Sequence, residues 1–292
     1  MQKEVEQFLR YLKERKKYSD NTIAAYRNDL TQLSEYLASR KIREWSRLSR
    51  QDIVAFGNHL RERDYAQSTI ARKLASIRSF CHFLTGGGVL PQDPAQGLGS
   101  PQVARRTPRT LTDQEISALL ELPGRSHTPK GRRDRAILEL LYATGMRVSE
   151  LTALDVADVD LDAGTVCCGN RPATRRVVAL GRSAREALGS YLGEARPALL
   201  EGRREQALFV NHRGERLSRQ GLWLVIKQYA DQLGLKGSIT PHTLRHSAAA
   251  NKLRRGANLS EVQQLLGHAS ATSTQVYARI ARSHRQRELS GE

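Results

Sequence analysis

The sequence has 292 residues, 39% hydrophobic and 26% charged, with 47 Lys and Arg against 30 Asp and Glu, a formal net charge of +17. At roughly 100–200 residues per domain, that length gives one large or two modest domains whose core needs neither disulfides nor metals. The charge points first to an anionic polymer as partner, and a mean hydropathy of −0.54 argues against a membrane protein.

Further classes fall away on inspection of the chain. No apolar run approaches the roughly 18 residues of a membrane-spanning helix, and the charged start Met1–Glu6 lacks the apolar stretch of a signal peptide. Three cysteines, Cys81, Cys167 and Cys168, have no paired ligand spacing, so neither a disulfide scaffold nor a zinc site is expected and a reducing cytoplasm fits. Residues 1–90 carry 17 basic and 10 acidic side chains, so the positive charge belongs to both halves rather than to a tail.

The first 85 residues read as helices. Val5, Phe8, Leu9 and Leu12 form one apolar stripe; Ile23, Tyr26, Leu30, Leu33 and Leu37 form a second, opened by Ser19-Asp20-Asn21. Ser49-Arg50-Gln51-Asp52 has the form of a capping box before a third helix with Ile53, Phe56 and Leu60 inward. A fourth runs from Ser68 to Gly86, with Ile70, Leu74, Ile77, Cys81 and Leu84 on one face. At about 100° per residue, Arg72, Ser76 and Ser79 lie opposite that face. A basic, small-polar front of this kind suits a major groove and makes Arg72 a candidate DNA contact.

Residues 85–110 then break the pattern with four of the nine prolines and five glycines, followed by Arg105-Arg106. The expected organisation is a helical domain over 1–85, a linker over 86–108 and a second domain over 109–292. Thr112–Glu115 forms another capping box, and Arg135–Tyr142 an apolar helix closed by Gly145. Thr165–Cys168 and Arg176–Leu180 read as a strand pair, with Leu208-Phe209-Val210 as a candidate third strand. Helices are expected at about 182–195, 219–233, 241–255, 259–266 and 273–281. The fold class is mainly α with a small antiparallel β-sheet.

Four segments carry candidate chemistry. Gly145 supplies a left-handed helix stop that sets Arg147 on a rigid turn, where a guanidinium grips a phosphate with two parallel hydrogen bonds. Thr240 and Pro241 open a helix with His242 and Arg245 at i and i+3, an imidazole and a guanidinium at a helix N-terminus that suits an anion. His246, on the adjacent turn, reads as structural. Gly267 ends the helix over 260–266 and presents His268 directly after it. Tyr277 follows nine positions later, beside Val276 and Ile280.

The ordered set Arg147, His242-x-x-Arg245, Gly267-His268 and Tyr277 resembles the tyrosine site-specific recombinases of the phage-integrase family. The words Tyr-Ala-Thr-Gly-x-Arg-Val-Ser-Glu-Leu, Pro-His-x-Leu-Arg-His-Ser and Leu-Leu-Gly-His-x-Ser are similar to the Xer branch. So are Thr22…Tyr26-x-x-Asp29-Leu30 and Asp93-Pro94-Ala95. The resemblance covers nearly the whole chain. It implies an N-terminal helical, SAM-like core-binding domain and a C-terminal tyrosine-recombinase catalytic domain that clamp double-stranded DNA.

The resemblance also implies a mechanism. Tyr277 would attack a backbone phosphate and form a 3′-phosphotyrosyl bond, Arg147 and Arg245 would hold the non-bridging oxygens, His268 would add a hydrogen bond, and His242 would orient the tyrosine or take its proton. Neither metal nor ATP nor any other cofactor is implied, and neither a membrane nor a small-molecule substrate. The implied partners are DNA and a homo- or hetero-tetramer with a related recombinase on two duplexes, to which the basic tail Arg282–Leu289 is suited.

One position departs from the pattern. Xer-like proteins carry a lysine in a Gly-Lys-Gly-x-Lys-x-Arg hairpin, whereas this chain has Gly169-Asn170-Arg171-Pro172-Ala173-Thr174-Arg175-Arg176 and no lysine between Lys130 and Lys227. Arg171 aligns with that lysine. A guanidinium, with a pKa above about 12, does not release a proton as a desolvated lysine does, so slower cleavage is expected. Three further readings stay open: integration of a mobile element by the same chemistry, a catalytically weakened DNA-binding relative, and a relaxing topoisomerase.

Overall fold

The structure, a computed structural model, describes residues 1–99, 109–169 and 175–267. Among these residues the protein is mainly α-helical with one small antiparallel sheet, and the chain divides into two compact units, Met1–Arg105 and Arg106–Glu292.

The first unit holds α1 (Gln2–Glu14), α2 (Asp20–Ser39), α3 (Arg50–Glu62) and α4 (Gln67–Gly86). Ser19 caps α2 by accepting from the Thr22 amide, and Ser49 with Asp52 closes a capping box on α3. The stripes read from the sequence turn inward. At their centre the Phe8 ring lies 5.2 Å from those of Phe80 and Phe83 and 5.9 Å from Tyr26, while Trp45 meets Phe80 edge-on at 4.8 Å.

The face of α4 opposite its apolar stripe is not an open front. Asp29 of α2 is fully buried, and a buried carboxylate needs donors around it. It takes them from α4: Lys73 Nζ donates at 3.0 Å, Ser76 Oγ at 2.9 Å, and Arg72 Nη1 closes the set. Ser76 is therefore buried, and Arg72, 48% exposed, has its guanidinium on Asp29. The sequence pattern reported a polar face, and α2–α4 packing has used much of it.

The segment read as linker is anchored over its first half. Leu90 and Ala95 are buried in the first unit's core. Asp93 accepts from the Ala95 amide at 2.8 Å, Arg50 donates to Gln96 O at 3.2 Å, and Arg78 to Leu98 O at 3.0 Å.

In the second unit come α5 (Asp113–Glu121), α6 (Pro129–Thr144) and α7 (Val148–Leu151), then strands β1 (Val159–Asp160), β2 (Thr165–Cys168) and β3 (Arg176–Ala179). α8 (Arg182–Ser190) runs through a π-helical turn into α9 (Arg196–Leu200), and α10 (Arg219–Gln232), α11 (Pro241–Arg254) and α12 (Leu259–Leu266) complete the described chain. α6 is the spine: Ala136, Ile137, Leu138, Leu140 and Leu141 are all buried, on more than one face, as a helix packed by α5, α8 and α11 requires. The sheet order is β1-β2-β3, both pairs antiparallel, with Val166 opposite Val159 and Val178.

Leu208-Phe209-Val210 does not form the third strand; β1 does. The three residues are buried, but the segment and its neighbour Ala207 make only single bridges, Asp155 with Ala207 and Val210 with Arg216. Leu208 N donates to Leu154 O, and the Tyr191 hydroxyl donates to Leu208 O, each at 2.9 Å. None of the described helices is long and apolar enough to cross a membrane.

Candidate active site

Three helix ends build the site. Thr144 Oγ1 donates to Leu140 O at 2.6 Å, and Gly145, at φ 55°, ends α6 with its amide on Leu141 O. The reversal puts Arg147 at the N-cap of α7. Glu150, three residues on, reaches back to accept from the Arg147 amide at 2.7 Å. On α11, Thr240 caps the Thr243 amide, Pro241 fills the first turn, and Arg245 sits one turn further with 5% of its surface exposed. α12 opens on the Asn258–Glu261 capping box and stops at Gly267, φ 60°.

The three ends meet through guanidinium groups. Arg245 donates to Gly145 O and, at 2.6 Å, to Leu266 O. Arg147 Nη2 lies 3.4 Å from Gly267 O, and Arg176 Nε donates to Leu265 O at 2.8 Å. Three successive carbonyls at the end of α12 thus each face a different arginine. The carbonyls at a helix C-terminus have no partner within the helix, so cations are natural donors to them. Glu150 completes the cluster. Arg176 Nη1 and Nη2 reach its two oxygens at 3.1 and 3.3 Å, and Arg147 Nη1 lies at 3.3 Å. Burial raises the Glu150 pKa, but the Arg176 hydrogen bonds, the Arg147 amide and both positive charges outweigh it and hold the carboxyl below its ordinary range.

Of the residues singled out in the sequence, Arg147 and Arg245 come together at the end of α12. His242 is exposed on the first turn of α11, its ring 6.4 Å from that of His246. Burial first, then the charges of His242 and Arg245, push His246 down to about 4, so at neutral pH it is an uncharged, half-buried group, as its structural reading requires. Arg72 lies in the first unit on Asp29. Arg171, His268 and Tyr277 lie outside the described residues.

Glu150 and Arg176 were not singled out by sequence. The signals for Glu150 were its capping-box spacing from Arg147 and its place in the word Tyr-Ala-Thr-Gly-x-Arg-Val-Ser-Glu-Leu. Arg176 stands at the closing arginine of the hairpin word, but its partners, 26 and 89 positions away, could not be read from it.

The turn at Gly267 admits little else. A Cβ there would stand 2.9 Å from Arg176 Nη1, at a φ that costs an L-residue about 1–2 kcal/mol. Gly267→Ala is therefore expected to lower the melting temperature, read by circular dichroism, by roughly 2–8 °C. An unchanged melt would mean that neither the left-handed turn nor the guanidinium resists a methyl group.

Comparison with known proteins fits this geometry. Residues 109–284 match the phage integrase family, and residues 5–88 match the phage integrase N-terminal SAM-like domain. The chain belongs to the phage integrase family. This integrase-family chain is 50% identical over 282 residues to a protein named tyrosine recombinase XerC from Roseiflexus sp. (strain RS-1), covering 96% of this chain and 90% of that one. It is 41% identical over 281 residues to a tyrosine recombinase XerD from Oceanobacillus iheyensis, covering 96% and 94%. In fold it is similar to the XerH site-specific recombinase, solved bound to a palindromic difH substrate, with a TM-score of 0.76 at 20% identity over 98% of this chain and 84% of that one. The integrase fold is thus the small sheet and helices of the second unit, with a SAM-like helical domain before them.

Proposed function

We propose that this protein is a site-specific DNA recombinase of the Xer type that cuts and rejoins double-stranded DNA through a 3′-phosphotyrosyl linkage on Tyr277. The observation that carries this reading is the convergence of Arg147 and Arg245 on the end of α12, whose last carbonyl precedes His268 in the chain. Two guanidinium groups on one rigid corner suit the two non-bridging oxygens of a phosphodiester.

In the reaction the Tyr277 hydroxyl oxygen attacks phosphorus in line, its proton passing to His242. The bond from phosphorus to the 5′-oxygen breaks, that oxygen takes a proton from water to become a 5′-hydroxyl, and the phosphate stays on a phosphotyrosyl 3′-end. Arg147, Arg245 and His268 stabilise the charge that grows on the phosphoryl oxygens. A 5′-hydroxyl of a second duplex then attacks the linkage, losing its proton to water, and the proton held by His242 returns to the tyrosine as it leaves. The covalent bond conserves the phosphodiester energy, so the cycle runs without metal or ATP.

Arg171 takes the position of the acid and stabilises the leaving oxygen by charge alone. Arg171→Lys is expected to speed single-turnover cleavage by about tenfold or more, because it restores a group able to give up a proton. An unchanged or lower rate overturns that assignment. The same arginine is the observation that favours a second reading, a weakened DNA-binding relative. Four protomers, copies of this chain or of a related recombinase, work on two duplexes in the cytoplasm to resolve chromosome or plasmid dimers.

The test is to incubate the protein with sheared DNA of its own genome, denature, and sequence the DNA that stays attached. One recurrent sequence joined through its 3′-phosphate is expected. Binding without any attached DNA overturns the reading in favour of a DNA-binding relative. Attachment without sequence preference, with relaxation of supercoiled plasmid, overturns it in favour of a topoisomerase.

A further inference from the structure

We propose that Arg176 is a positioning residue for strand cleavage: by holding Glu150 and the last turn of α12, it keeps the Arg147 guanidinium open to phosphate. The proposal rests on the recombinase reading above.

The two arginines on Glu150 differ in what they leave free. The Arg147 side chain is 40% exposed and Arg176 only 12%, so a phosphate arriving from solvent meets the first and not the second. Arg176 has all three nitrogens placed against the protein: a two-pronged fork on the Glu150 carboxylate and Nε on Leu265 O. Its guanidinium also lies against Gly267, where even a methyl group would collide with Nη1. The planar, five-donor guanidinium makes this three-way contact; an ammonium has no such fork.

Glu150 supplies the reason for the arrangement. It caps α7 through the Arg147 amide and is 3% exposed, so its negative charge cannot be left to water. A buried carboxylate takes the nearest cation. With Arg176 present, the carboxylate has a two-pronged partner at 3.1 and 3.3 Å, and Arg147 shares it through one contact of 3.3 Å. Without Arg176 the carboxylate has Arg147 as its one remaining cation, tightens the ion pair they already share and cancels the charge the phosphate would meet. Arg176 is also the first residue of β3, so the same side chain ties that strand to the arginine cluster.

The experiment uses the full chain and a nicked duplex of the sequence recovered by covalent attachment, with DNA affinity and single-turnover adduct formation measured separately. Arg176→Gln is expected to slow adduct formation by about 100-fold, the scale of a misplaced catalytic group. Its DNA affinity should stay within about threefold of wild type, since few of many phosphate contacts change. Adding Glu150→Gln removes the charge that captures Arg147 and should recover at least about tenfold of the lost rate, which a purely structural role for Arg176 would not allow. Arg176→Lys should fall between wild type and Arg176→Gln, and it carries the same comparison if circular dichroism shows Arg176→Gln unfolded. A wild-type rate in the single variants, or no recovery in the double variant, overturns the proposal. No adduct from the wild-type chain overturns the recombinase reading itself, and this assignment with it.

Discussion

Tyr277→Phe is expected to bind DNA as the wild-type chain does and to form no covalent adduct. The substitution removes one oxygen and keeps the ring, so only the proposed nucleophile is lost. DNA affinity rests instead on phosphate contacts of a chain with a net charge of +17, and its logarithm should fall linearly with the logarithm of salt concentration in both proteins. A denaturing gel of a nicked duplex, where strand loss makes cleavage irreversible, reads the adduct directly. Filter binding over a salt series reads the affinity. Adduct above about 1% of the wild-type yield would assign the attack to another side chain, since no hydroxyl remains at this position.

Arg245→Ala carries the second large effect, because that side chain holds the site together as well as having a proposed role in gripping the phosphate. Its guanidinium joins Gly145 O, at the stop of α6, to Leu266 O, at the end of α12, from a position 5% exposed. Alanine leaves both carbonyls without this donor, at roughly 1–3 kcal/mol for each unsatisfied group. It also removes a proposed phosphate donor, a loss of about 10²–10³ in rate by itself. Single-turnover cleavage should therefore fall by at least about 10³, with a lower melting temperature. Arg245→Lys separates the two effects. Its single ammonium should restore much of the stability and little of the rate, since it cannot make two divergent bonds. A rate within about tenfold of wild type for Arg245→Ala would remove Arg245 from the transition state.

What the sequence disclosed follows from the range of the interactions involved. Local rules located the helix ends: the glycines at 145 and 267 and the Thr240–Pro241 start are each a matter of a few residues, and the structure has all three. The stripes of α1–α4 were legible for the same reason. Glu150 and Arg176 were not, because their meaning lies in a contact between a helix N-terminus and a strand 26 positions away. Asp29 is similar: nothing in its own helix says that Lys73 and Ser76 will surround it. Leu208-Phe209-Val210 misled because a short apolar run marks burial and not pairing. Proline and glycine marked residues 90–98 as irregular chain, which they are, but composition does not say what a loop rests on. Roles for Tyr277, His268 and Arg171 come from the resemblance alone.

The end of α12 has one more consequence. Peptide dipoles along a helix leave about half a negative charge at its C-terminus, and here that pole lies among three arginines and one buried carboxylate. The backbone thereby acts as an internal counter-ion. Cationic groups that would otherwise repel one another are held side by side, the arrangement that the proposed grip on a phosphodiester requires.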